Sequence, residues 1–110
     1  MARPEERYRV SFQVFLGWQD GATGGVRRIS ARCTDLSASG ARVETTDRFS
    51  PQSLVLVSSE QFGRMGNATV RYCRREGMRF AVGLQFTSVF GLSDPARRSI
   101  LEKVLEQDPP

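Results

Sequence analysis

A chain of 110 residues fits one domain, and its 39% hydrophobic and 25% charged residues are ordinary globular values that argue against wholesale disorder. The net charge is +4, and all but one of the 16 basic residues are Arg, the exception being Lys103. There is no His, which excludes Ser-His-Asp and Cys-His catalysis and the common zinc sets.

The chain opens on "MARPEERYR", a polar arm over residues 1–9 that offers no apolar face and lacks the hydrophobic segment of a signal peptide. Period-two alternation then dominates. Val10, Phe12, Val14 and Leu16 share one face of a first strand. "GWQDGATGG" reads as a hairpin loop. The return strand runs from about Val26 to Thr34, with Ile29, Ala31 and Cys33 in phase. "TDLSASG" comes next, and Ala41, Val43 and Thr45 begin a third strand. Pro51 breaks the chain before a short apolar strand, Leu54 to Val57. A fifth strand covers Ala68 to Arg74, and a sixth places Phe80, Val82, Leu84 and Phe86 on one face.

The period then changes. "SDPARRSILEKVLEQ" carries Ser93 or Asp94 as an N-cap and Pro95 near the first helical position, with Ile100, Leu101, Val104 and Leu105 as one apolar stripe. The expectation is an all-β domain: a small six-stranded antiparallel barrel over residues 10–87, with a C-terminal α-helix over residues 94–107. Cys33 and Cys73 form no CxxC, so a secreted disulfide framework is not expected. No apolar run reaches the ~20 residues of a membrane span. A cytoplasmic protein is expected.

Two short motifs fall at the same end of this barrel. Arg3 and Arg7 form an RxxxR spacing in the arm. Asp35, Ser37 and Gly40 form DxSxxG at the end of the second strand. A hairpin leaves on strand one and returns on strand two, so the second motif comes back beside the first. Taken singly, Arg3 and Arg7 read as a solvated basic tail, and Asp35 and Ser37 as turn residues. Trp18 reads as a packing residue, and Arg27, Arg28, Arg74 and Arg75 as solvated strand ends.

In this order, and within an all-β pattern, the two motifs resemble the PilZ domain, a bacterial receptor for cyclic di-GMP. The resemblance covers nearly the whole chain. "RYRVSFQV" looks like the family's first strand, and "ATVRYCRREGMRFAVGLQF" like its closing hairpin, ending in Gly83-Leu84-Gln85-Phe86. It implies ligand-binding roles for Arg3, Arg7, Asp35, Ser37 and Gly40. Tyr72 sits where the family often carries an aromatic, commonly Trp, and is a weaker candidate that core packing also explains. The chemistry agrees: an Arg forks onto guanine O6 and N7 or onto a phosphate, a carboxylate accepts from the guanine N1–H and N2–H edge, and a Ser hydroxyl donates or accepts. Gly40 would supply positive φ for the turn or let the ligand approach the backbone.

Many family members carry a further Arg directly before the RxxxR, associated with a second, intercalated ligand. Here the residue is Ala2, so one cyclic di-GMP per chain is expected. The resemblance thus implies a receptor for cyclic di-GMP, and an enzyme is not expected, since the sequence holds no nucleophile–base pair, no metal set and no phosphate loop followed by a helix. Cofactors, metals and nucleic acid are not expected, and output passes through an unidentified protein partner after the ligand orders the arm. The competing readings are a ligand-independent PilZ-like adaptor and a small basic barrel binding single-stranded nucleic acid.

Overall fold

The computed structural model describes residues 7–37 and 39–87. The expected helix over residues 94–107, the first six residues of the arm and Arg3 with them lie outside the described residues. Six strands occupy most of the rest: β1 (Tyr8–Gln19), β2 (Val26–Leu36), β3 (Gly40–Thr45), β4 (Leu54–Ser59), β5 (Gly63–Glu76) and β6 (Arg79–Phe86). Every pairing is antiparallel, and the strands close in the order β1-β2-β3-β6-β5-β4, with β4 returning to β1. Closure joins the two end strands, β1 and β4, where Phe15, Leu16 and Gly17 pair with Ser58, Val57 and Leu56.

The alternation in sequence becomes the inside and outside of this barrel. Val14, Leu16, Val43, Val57, Val70 and Val82 point inward and are fully buried. β-branched side chains suit such a pleated, packed surface. The β1–β2 hairpin closes on a turn in which Asp20 Oδ1 accepts from the Ala22 amide at 2.9 Å and Gly24 takes a φ of 75°. Left-handed backbone of that kind costs glycine nothing.

The strands run longer than alternation suggested. β1 begins at Tyr8, so Tyr8 and Arg9 belong to the barrel, and it continues through Trp18, which was expected in the loop. Trp18 packs edge-on against buried Phe49, ring centroids 5.1 Å apart, and the added contact carries the ladder further. β5 starts five residues before Ala68, because Gly66 sits in a bulge opposite β4 instead of ending the strand. Glycine inside a strand often marks such a bulge.

Two further bulges shape the outer wall. On β2, Cys33 pairs with Val43 and Asp35 with Arg42, leaving Thr34 as an extra residue. Cys33 and Leu36 are therefore both interior, three positions apart, and Thr34 and Asp35 both face outward. On β5, Val70 pairs with Leu84 and Tyr72 with Gly83, leaving Arg71 extra. Val70 and Cys73 point inward, and Arg71 and Tyr72 are presented together on the outer wall. Bulges re-aim side chains in this way. Burial first, with the nearby Asp35 charge adding to it, pushes the Cys33 thiol up to about 12. Cys33 is therefore a core residue and not a reactive thiol.

Candidate ligand-binding site

The pairing registers lay one continuous row across the outer wall: Arg9 on β1, Asp35 on β2, Arg42 on β3, Gly83 on β6 and Tyr72 on β5. Arg7 of the first motif and Asp35 of the second meet at this row. Arg7, 28 positions before Asp35, donates to its carboxylate, Nη1 to Oδ2, at 3.3 Å. The Arg7 side chain is 68% exposed and that of Asp35 28%. An exposed pair of this type is worth ~0–1 kcal/mol, so it holds Arg7 at the wall without locking it there.

Ser37 and Gly40 close the turn between β2 and β3. The Ser37 amide donates to the Gly40 carbonyl at 2.9 Å, and the Gly40 amide donates to Ser37 Oγ at 3.1 Å. The Phe86 amide donates to the Ser39 carbonyl at 2.7 Å, which ties the turn to the end of β6. Ser37 is thus a turn residue as well as a lining residue of the cleft beside it.

Gly40 is not in the left-handed region, contrary to one expectation for it. Its need for glycine comes from β6: a Cβ there would lie 2.5 Å from the Leu84 carbonyl oxygen, a backbone atom that cannot swing aside. Gly40→Ala should accordingly weaken the β3–β6 seam by ~1–3 kcal/mol, the cost of overpacking. A lowered urea midpoint checks this, and an unchanged midpoint would mean that the seam opens freely.

Next to the row lies an open cleft of about 320 Å³, bordered by Arg7, Ser37, Gly40, Arg71, Tyr72 and Gln85, with Gly83 at its floor. The Tyr72 ring covers Gly83 so closely that a Cβ there would fall 2.1 Å from Cε2. Gly83 therefore lets the ring lie down on the sheet. The Arg74 guanidinium carbon is 5.1 Å from the ring centroid, within cation–π range. On the other side of Arg7 a second cleft, about 550 Å³, is lined by Arg9, Thr34, Asp35, Arg42 and Glu44. Arg42 Nη2 is held by both Glu76 carboxylate oxygens at 2.9 Å.

The structure therefore brings Arg7, Ser37, Gly40 and Tyr72 to one cleft and sets Asp35 directly beside it through Arg7. Arg71 and Gln85, which sequence reasoning did not single out, also line it. The signal for them was present: Val70 and Cys73 are apolar and three apart, a break in alternation that marks the bulge. Among the described residues no cluster of His, Cys, Asp and Glu has the arrangement of a metal site. Among them, too, no helix is long and apolar enough to cross a membrane.

Fold and cleft together define a closed antiparallel barrel that presents an arginine-bordered polar cleft on its outer wall. The PilZ domain model matches residues 2–105, and the chain belongs to that family. Curated protein sequences give no match. Among solved structures, the chain is similar to the complex of K. pneumonia MrkH with c-di-GMP, at 14% identity and a TM-score of 0.72, covering 97% of this chain and 54% of that one. It is also similar to the PilZ domain of Escherichia coli YcgR with c-di-GMP, at 15% identity and a TM-score of 0.65, covering 96% and 91%. Bacillus subtilis MotI, an inhibitor of motility, matches at 14% identity and a TM-score of 0.67, covering 97% and 51%. The chain spans about half the length of the MrkH and MotI chains. At these identities the likeness is one of fold.

Proposed function

We propose that this domain is a cyclic di-GMP receptor that works by binding and not by catalysis. The observation that carries the reading is the convergence of Arg7 and the second motif on one wall. Arg7 and Asp35 touch, and Arg7, Ser37, Gly40 and Tyr72 border the same cleft. The complexes of MrkH and YcgR with c-di-GMP, similar in fold, support the choice of ligand.

In this reading a guanine takes the place of the exposed Arg74 guanidinium over the Tyr72 ring, and Arg7 exchanges its weak tie to Asp35 for guanine or phosphate acceptors. Asp35, once released, accepts from a guanine N1–H and N2–H edge. Arg3 joins Arg7 on the ligand, and the arm closes over the wall. The barrel moves little, since its strands are locked by a closed ladder. The closed arm forms a new surface for a protein partner.

Calorimetric titration tests the reading. One cyclic di-GMP should bind per chain, well below millimolar, with GTP and a short single-stranded DNA far weaker. Equal affinity for all three would reduce the site to generic electrostatics and overturn the reading. Two ligands per chain would overturn the single-site expectation drawn from Ala2.

A further inference from the structure

We propose that Arg71 is a further ligand-reading arginine, lining the same cleft as Arg7 and taking the O6/N7 edge of the guanine that lies on Tyr72. The inference rests on the cyclic di-GMP reading and deepens it. A regular β5 would alternate inward and outward, and consecutive residues could not share the outer wall. The bulge removes that constraint, so Arg71 and Tyr72 stand side by side on the cleft. A base resting on an aromatic ring presents its edge to whatever stands next to that ring, and here that is a guanidinium.

The guanidinium is also oriented. Arg71 Nη1 donates to Gln85 Oε1, and Gln85 is an outward residue of β6 opposite Thr69. The Arg71 side chain makes no other hydrogen bond or ion pair among the described residues. With Nη1 occupied, the Nε–Nη2 edge remains, and it is a fork of two parallel donors. Two adjacent acceptors fit such a fork, and guanine O6 and N7 supply them. Gln85 carries no charge, so it fixes the plane of the fork without neutralising it. Gln85 is therefore a positioning residue.

A ligand-based cycle tests the assignment. Wild type and Arg71→Ala are titrated with cyclic di-GMP and with its 7-deaza analogue, which replaces guanine N7 by a carbon. Arg71→Ala should weaken cyclic di-GMP binding roughly 5- to 150-fold, the range for a bidentate base contact. The analogue should bind wild type more weakly than cyclic di-GMP does, and that difference should shrink in Arg71→Ala to whatever the Arg7 fork on the other guanine supplies. Gln85→Leu should shrink the same difference by less than Arg71→Ala does. Arg71 is exposed, and unfolding midpoints of the variants should match wild type. If Arg71→Ala binds both ligands as wild type does, the assignment falls while the receptor reading stands. If Arg71→Ala weakens both ligands and the N7 difference persists undiminished, Arg71 contacts a phosphate, which overturns the guanine assignment. If wild type fails to bind cyclic di-GMP, the receptor reading fails and this inference with it.

Discussion

Arg7→Ala should remove most cyclic di-GMP binding, and Arg7→Lys should restore little of it. Arg7 is the residue that joins the two motifs, because it touches Asp35 and borders the cleft that holds Gly40 and Tyr72. A bidentate contact to guanine carries ~1–3 kcal/mol of discrimination, and Lys keeps the charge while losing the fork. The side chain is mostly exposed and its ion pair with Asp35 is weak. Both variants should therefore keep the wild-type unfolding midpoint, so that any lost affinity belongs to the contact. Calorimetry on the three proteins reads the result. An Arg7→Lys variant that binds like wild type would show that only charge is used there.

Leu16→Ala should have the largest effect on stability, about 2–5 kcal/mol. Leu16 is completely buried in the second half of β1, opposite Ile29 on β2 and Val57 on β4. The lost methyl groups leave a cavity that a closed barrel cannot easily collapse, because each strand is held on both sides. A domain with ~5–15 kcal/mol in total loses a large part of its margin. Val26→Ala is the matching control: Val26 is 82% exposed and its loss should shift stability by no more than ~0.5 kcal/mol. Urea unfolding of both variants checks the contrast. Similar small losses would mean a loosely packed interior.

Much of the barrel was legible because its interior residues alternate. Val43 and Thr45 on β3, and Val82, Leu84 and Phe86 on β6, lie inside as their spacing required. What period-two reading misses is any residue outside the period. Thr34 and Arg71 are such residues, each an extra position in a bulge, and each turns its neighbour, Asp35 or Tyr72, onto the outer wall. Asp35 and Tyr72 were identified by type and motif, but their shared face depends on the bulges. The Gly40 requirement was misassigned for a related reason. Local sequence suggests a turn conformation, whereas the constraint is the Leu84 carbonyl on a strand far along the chain. Trp18 shows the same limit: a glycine-rich neighbourhood suggested a loop, and contact with Phe49 extends the strand.

The most direct test of the central claim is a cyclic di-GMP titration monitored through backbone amide shifts by NMR. The account predicts that the perturbed amides cluster on the cleft wall, at Asp35, Gly40, Arg71, Tyr72, Gly83 and Gln85. Val26 and Leu54 are exposed and do not line that cleft, and their amides should not shift. Perturbations that saturate with one ligand per chain and stay on that wall would place the ligand where both motifs meet. Shifts that fall elsewhere on the barrel, or none at saturating ligand, would contradict the account.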